Sequence, residues 1–421
     1  MTTTSMPSGL RFLMAARRCE IEELAHLGRT VALVGCIGGL VHALQKERGL
    51  SNIFLGSGGT RFAAERTAQV AEAQAAEQAV RAALDRLTQE PQPPGSGTRL
   101  FNRVAWVLPG LDALAQLRAR IGAGAVSPAQ AAAAFAKLIG GLLAVVFEAA
   151  DGATDPQISR QLVAMFNFMQ GKEFAGQERA FGAAAFTRAR ADAELRPPWL
   201  HLIESQERCF EVFADFADET LRAQWQAAHG GADTAELERL RRIGCAAPGP
   251  DLDPELGPAW FACCTRRIDA MRVLEAQLAQ GLRVLCDRKI AQAHAELQQY
   301  EALADGPGPA PQTGFFDDGD TGDAPAPASS AFGRQLERSV LDMVQAQARR
   351  LQAMSDELET VRAALNERKV VERAKGLLMA HRHLSEEEAH KMLRQTAMNQ
   401  NRRLVEVAES VLTMAEYLPA R

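Results

Sequence analysis

Between Arg368 and Leu412 apolar residues return every three or four positions in three successive sets, the spacing of helix faces. Val370, Val371, Ala374, Leu377 and Leu378 form the first set. Ala389, Met392, Leu393 and Ala397 form the second, and Leu404, Val407, Ala408, Val411 and Leu412 the third. Ser385-Glu386-Glu387-Glu388 has the S-x-x-E order of a capping box, and Asn399-Gln400-Asn401 suits a turn. Helices this short are not stable alone, so their apolar faces must pack together. The spacing therefore predicts a three-helix module over 367–421.

The same stretch carries a basic surface. Arg368, Lys375 and Arg382 are seven apart and share a helix face, with Arg373 on the same helix. Lys391 and Arg394 are three apart, and Arg402 and Arg403 open the third helix. Such a surface holds phosphates through salt-dependent contacts. On charge alone it is more often a solvated face, and no Phe or Trp stands here to stack on bases. The order of the anchors tips the balance. Ala374-Lys375-Gly376-Leu377-Leu378-Met379, Ser385, Glu388-Ala389, Leu393-Arg394, Ala397-Met398 and Leu404 to Ala408 resemble the ANTAR domain. That resemblance implies binding of a two-hairpin element in a nascent leader mRNA, which prevents terminator formation and acts on the elongation complex indirectly. It assigns Arg368, Arg373, Lys375, Lys391, Arg394, Arg402 and Arg403 to the RNA.

The remainder of the 421 residues also predicts helices, giving an all-α chain rich in Ala and Leu with few β-branched runs. The net charge of −5 makes any nucleic-acid binding local. Seven scattered cysteines without a C-x-x-C pair read as reduced thiols, which fits a cytoplasmic protein. No signal peptide is evident. Val31–Leu44 and Leu138–Phe147 are apolar but short of the about 20 residues that span a bilayer, so they read as core helices rather than membrane segments.

Residues 10–302 divide into long helical patterns at GSGGT (56–60), PQPPGSG (91–97), Gly122–Pro128, Asp151–Pro156 and Pro197-Pro198, with a longer loop from Ala228 to Pro258. About eight helices of roughly 20 to 35 residues are expected, as two packed four-helix bundles sharing long members. An acidic Pro/Gly-rich linker follows over 303–332, containing the odd pair Phe315-Phe316. A coiled-coil helix is expected over 333–366, with Leu336, Val340 and Met343 out of step with Leu351, Met354, Leu358, Val361 and Leu365. Its partner is left open between a second chain, giving a homodimer through the coiled coil, the ANTAR-like module or both, and the bundle of its own chain.

Three segments of the long-helix region place arginines among small or apolar residues: HALQKERGLS (42–51), GKEFAGQERA (171–180) and WFACCTRRID (260–269). Gly49 and Gly176 each cost a helix about 1 kcal/mol against alanine, which points to a close approach by another group. Together these segments resemble the NIT domain, a nitrate- and nitrite-sensing helical module. That resemblance implies an anion held between helices by arginines, carried here by Arg48, by Arg267 (or its neighbour Arg266) and by Arg179 as a third member. Guanidinium suits the task, being planar, always charged and forked, as nitrate and nitrite are planar with spread charge. Two such cations facing each other repel until an anion joins them, so binding selects one helix packing over another.

The combination predicts a nitrate- or nitrite-responsive antitermination regulator whose anion relieves inhibition of the RNA-binding module, acting upstream of nitrate assimilation genes. No catalytic triad, phosphate loop or spaced metal ligands appear, so neither an enzyme nor a cofactor or metal protein is expected; the anion is a signal. His42 reads as a packed or solvated histidine. A DNA-binding regulator and a coiled-coil scaffold are the alternatives, distinguished by duplex DNA binding and by absence of anion-dependent stability.

Overall fold

The chain is described by a computed structural model over residues 8–89, 97–188, 196–229, 232–245, 252–304, 328–382, 384, 386–400 and 402–416. Phe315, Phe316 and most of the acidic linker, the Ser385 cap and Asn401 lie outside the described residues. The described residues are helical without a strand.

The first bundle holds α1 (Ser8–Gly56), α2 (Ala63–Gln89), the pair α3 (Thr98–Asp112) and α4 (Leu114–Gly122), and α5 (Pro128–Asp151). The second holds α6 (Pro156–Arg188), α7 (Arg196–Phe216), α8 (Glu219–His229), α9 (Ala232–Gly244) and α10 (Leu256–Ala304). α1 packs on α2, α5 and α10, and α6 packs on α5, α7 and α10, so the long helices join the bundles. One apolar core runs through both, from Val31, Val34, Leu40 and Leu44 of α1 to Leu142, Val146, Phe168, Met271 and Leu278.

The punctuation residues act where expected. α1 stops at Gly56, and Gly58 and Gly59 take φ of 63° and 85°, which side chains resist. Ser127 caps α5: the Gln130 N–H donates to its hydroxyl (3.2 Å), the Ser127 N–H donates to the Gln130 side chain (3.0 Å), and Pro128 sits where no donor is needed. α1 and α5 are long and apolar enough to cross a membrane, but 56% and 50% of their apolar windows are packed inside the protein.

Two expectations need correcting. The described part of residues 10–302 contains ten helical segments rather than about eight, and α1 and α10 each reach 49 residues. Gly38 and Gly49 lie inside α1, each facing a charged side chain of another helix. The segment expected as a loop from Ala228 to Pro258 contains α9. Its Leu237 and Leu240 join Phe186, Trp199, Trp260 and Cys263 in a second, smaller core. All seven cysteines are free.

α11 (Ala328–Arg382) is one helix of 55 residues, so the coiled-coil stretch and the first helix of the C-terminal module are continuous. Val361 and Leu365 enter the bundle core, while Leu351 remains 55% exposed. Further on, Ala374 and Leu378 pack with Ala389, Leu393 and Ala397 of α12 (Glu386–Gln400) and Val407 and Ala408 of α13 (Leu404–Glu416). The three apolar faces read from spacing thus close on one another.

Candidate functional site

Four consecutive residues of α1 leave the helix in three directions, because successive side chains turn by about 100°. Lys46 is exposed near Glu72 (3.8 Å). Glu47, fully buried, accepts two bonds of 2.9 Å from Arg118 of α4. Gln45 and Arg48, three apart, both reach Glu173 of α6.

Glu173 is 2% exposed and accepts from four donor groups. Arg48 donates through both terminal nitrogens (2.5 and 3.2 Å), and Gln45 and Gln177 donate at 2.9 Å each. Gly176 lies beneath this pair: a Cβ there would stand 2.9 Å from a terminal nitrogen of Arg48. The arrangement repeats in reverse at Gly49, whose Cβ would stand 3.1 Å from a terminal nitrogen of Arg179. Each helix therefore offers a glycine to the other helix's arginine, which explains two residues that weaken a helix.

Arg179 is 5% exposed. It donates to Thr265 of α10 (3.1 Å) and lies over the Phe261 ring (5.0 Å), and among the described residues it has no carboxylate within ion-pair distance. Burial, then the facing Arg48, pushes its pKa down. Below it, Lys172, fully buried, pairs with Glu275 of α10, to which Arg272 also donates (3.1 Å). Among the described residues Arg48, Lys172 and Arg272 pair with two carboxylates, Glu173 and Glu275, while Arg179 pairs with none and feels Asp269 only from beyond pairing distance. His42 feels the excess: burial, then Lys172 and Arg272, lowers its pKa to about 3, so it is neutral. A largely buried seam with more cations than paired carboxylates can attract a small anion.

Arg267 lies in a neighbouring cluster. It donates to Gln206 of α7 (2.8 Å), and burial followed by Arg241 lowers its pKa to about 10. The centre of that cluster is Glu178, which accepts from Arg241 of α9 (2.8 and 2.7 Å), Gln206 (2.7 Å) and Trp199 (3.2 Å). Burial raises the Glu178 pKa, but Arg241 and Gln206 outweigh it and hold the carboxyl below its usual range. Arg266 is exposed, so of the two neighbours Arg267 faces inward. The structure thus brings Arg48 and Arg179 together and sets Arg267 among different partners. Glu173, Gln45 and Thr265 were not singled out as site residues, although the quoted segments contain all three; partners 125 positions apart leave no mark in spacing.

The C-terminal basic residues divide. Arg368 donates to Asn167 of α6 (2.9 Å) and lies over the Phe166 ring (4.7 Å). Arg394 pairs with Glu204 of α7, and the neighbouring Lys369 pairs with Asp151 (2.6 Å). Lys375 is buried beside Glu372 (2.8 Å). Arg373, Lys391, Arg402 and Arg403 are exposed, the last two near Glu406 (3.4 Å) and Glu367 (2.5 Å). A cleft of about 480 Å³ separates the two parts, lined by His201, Arg208 and Cys209 on one side and Arg368, Lys375 and His390 on the other.

Comparison with known proteins accounts for both parts. A family model described as nitrate and nitrite sensing (NIT) matches residues 39–283, and the ANTAR domain model matches 359–412. A nitrate regulatory protein of Klebsiella oxytoca is 35% identical over 411 residues, covering 97% of this chain and 96% of that protein. A solved structure of the NasR transcription antiterminator superposes with a TM-score of 0.59 at 32% identity, over 98% of this chain and 100% of that one. A NIT match over more than half the chain, an ANTAR match after it and a 35% identical relative aligned over nearly the whole length place this chain in the family of NIT-domain nitrate and nitrite sensors that carry a C-terminal ANTAR domain.

Proposed function

We propose that the chain is a nitrate- or nitrite-responsive transcription antitermination regulator whose anion site lies between Arg48 and Arg179, with Arg267 flanking it from the neighbouring cluster. The observation that carries the site is Arg179: a guanidinium 5% exposed, facing a second guanidinium, and held by a hydroxyl and a ring instead of a carboxylate. Burying a cation so costs several kcal/mol, and a planar anion between the two arginines offsets that cost.

The output is RNA binding by α11–α13, and the regulator is a sensor rather than an enzyme. Two of the assigned RNA contacts, Arg368 and Arg394, are engaged by Asn167 and Glu204 of the bundle. That supports inhibition by direct contact: RNA cannot use those side chains while the bundle holds them. The exposed Leu351 supports a homodimer along α11 in at least one state. A transcript hairpin is favoured over duplex DNA by the ANTAR match.

Calorimetric titration with nitrate, nitrite, chloride and sulfate tests the site, on the native chain and on Arg48→Ala and Arg179→Ala. Native protein should bind nitrate or nitrite and both variants should lose it; undiminished binding by both variants would refute the site. A gel shift with leader hairpin RNA, with and without nitrate, tests the output, and equal RNA affinity in both conditions would refute relief of inhibition.

A further inference from the structure

We infer that Glu173 is a built-in competitor for the anion, so that nitrate or nitrite enters by displacing a carboxylate from Arg48 rather than by filling a waiting hole. The inference rests on the Arg48–Arg179 site proposed above and adds how that site is gated.

The geometry is that of one ligand standing in for another. A carboxylate presents two oxygens on one planar carbon; nitrite presents two oxygens on nitrogen, and nitrate adds a third in the same plane. The Glu173 carboxylate spans both terminal nitrogens of Arg48 (2.5 and 3.2 Å). Those are the donors a planar oxyanion would take in the same two-pronged manner. Glu173 makes no ion pair with Arg179, which instead meets Thr265 and the Phe261 ring. An external oxyanion that bridges Arg48 and Arg179 therefore gains a contact that the internal carboxylate does not make.

The displaced carboxylate has somewhere to go. Gln45 and Gln177 each donate to Glu173 at 2.9 Å, one from α1 and one from α6. A small rotation away from Arg48 keeps these amides, so the buried oxygens stay hydrogen-bonded. Charge allows it as well. Among the described residues Arg48, Lys172 and Arg272 pair with two carboxylates and Arg179 pairs with none, so an added negative charge meets a cation that lacks a direct partner.

Competition also sharpens selection. Chloride is a single atom and cannot match both prongs of the forked donors that Glu173 already satisfies, so it exchanges poorly. Sulfate is tetrahedral, and the seam is tight where Gly49 and Gly176 bring each backbone against the opposite guanidinium. The internal carboxylate thus sets the affinity that an external anion must exceed, keeping the sensor indifferent to abundant weak anions.

The test is nitrate titration of the full chain by calorimetry, with thermal unfolding as the check on folding. Glu173→Gln keeps the shape and removes the charge; it should bind nitrate about tenfold or more tighter, the size expected for losing one charge-assisted competitor. Glu173→Asp, one methylene shorter, should tighten binding to a smaller degree and serves if the Gln variant does not fold. In Glu173→Ala, added formate or acetate should compete with nitrate and raise its apparent Kd, while the native protein is unaffected. Unchanged or weaker nitrate binding in folded Glu173→Gln or Glu173→Asp overturns the inference, as does formate without effect on Glu173→Ala. If Arg48→Ala and Arg179→Ala bind nitrate like the native chain, the site itself is wrong. If they lose binding while the Glu173 variants gain none, only the competitor is wrong.

Discussion

Glu178 and Arg179 are consecutive on α6, yet they belong to buried clusters of opposite character. Around Glu178 the accounts close: one carboxylate receives Arg241 twice, Gln206 and Trp199. Around Arg179 they do not: the cation has a hydroxyl, a ring and a facing cation. A satisfied buried charge holds helices in one arrangement, whereas an unbalanced one waits on something from outside. The contrast teaches that burial of charge alone does not mark a binding site; the imbalance does.

The largest expected effect comes from breaking the balanced cluster. Glu178→Ala leaves buried Arg241 with only the partly exposed Glu238 (2.8 Å) and strips Gln206 and Trp199 of their acceptor; it should cost about 3 kcal/mol of stability, read by denaturant unfolding. A loss under about 1 kcal/mol would show that the cluster is not the structural clamp described. Arg179→Met should act the other way round. It should lower nitrate affinity by about a hundredfold, equivalent to about 2.7 kcal/mol, while leaving thermal stability unchanged or slightly raised, because an ill-paired buried cation is removed. Equal losses of stability in the two variants would erase the comparison.

A finer probe uses glycines. Gly176→Ala places a methyl 2.9 Å from Arg48 and should weaken nitrate binding about tenfold, about 1.4 kcal/mol, by shifting that guanidinium. Gly281→Ala in α10, with nothing within 4 Å, should leave binding alone and stabilise by about 0.5–1 kcal/mol. The smallest effect lies at the interface: Glu204→Gln removes the partner of Arg394, an exposed pair worth up to about 1 kcal/mol, and should raise nitrate-free RNA affinity by no more than about fivefold in a gel shift. No rise at all would argue that Arg394 is not restrained by the bundle.

The parts of the fold that were legible are those with a local cause. Val370 to Leu378, Ala389 to Ala397 and Leu404 to Leu412 form the module core because apolar spacing alone dictates which sides meet. Gly56, Ser127 with Pro128, and Pro156 end or start helices through backbone chemistry visible in a few residues. The illegible parts have distant causes. α9 was hidden because its helical face is two leucines long, and only Trp199 and Trp260 make those leucines a core. Gly38 sits inside α1 with Glu275 of α10 3.0 Å from where its Cβ would be, a contact that leaves no local sign. At the site, Arg48 and Arg179 stand out as arginines among small residues, whereas the carboxylate of Glu173 gains its meaning only when α6 lies against α1. Arg267 is legible in the same way, whereas its partner Gln206 on α7 is not.

The unbroken α11 has a mechanical consequence. Its Val361 and Leu365 are anchored in the bundle, and its Ala374 and Leu378 in the module. A rod shared by two cores transmits a change of angle without loss. Arg382 lies 17 residues beyond Leu365, about 25 Å along the axis, so pivoting by about 10° at the anchor swings that end by about 4 Å. That is enough to break a polar contact far from the anchor, such as the Arg394 grip carried by α12, whereas Arg368 and Lys369, three and four residues from Leu365, shift by only about 1 Å, so the module would be released from its far end inward.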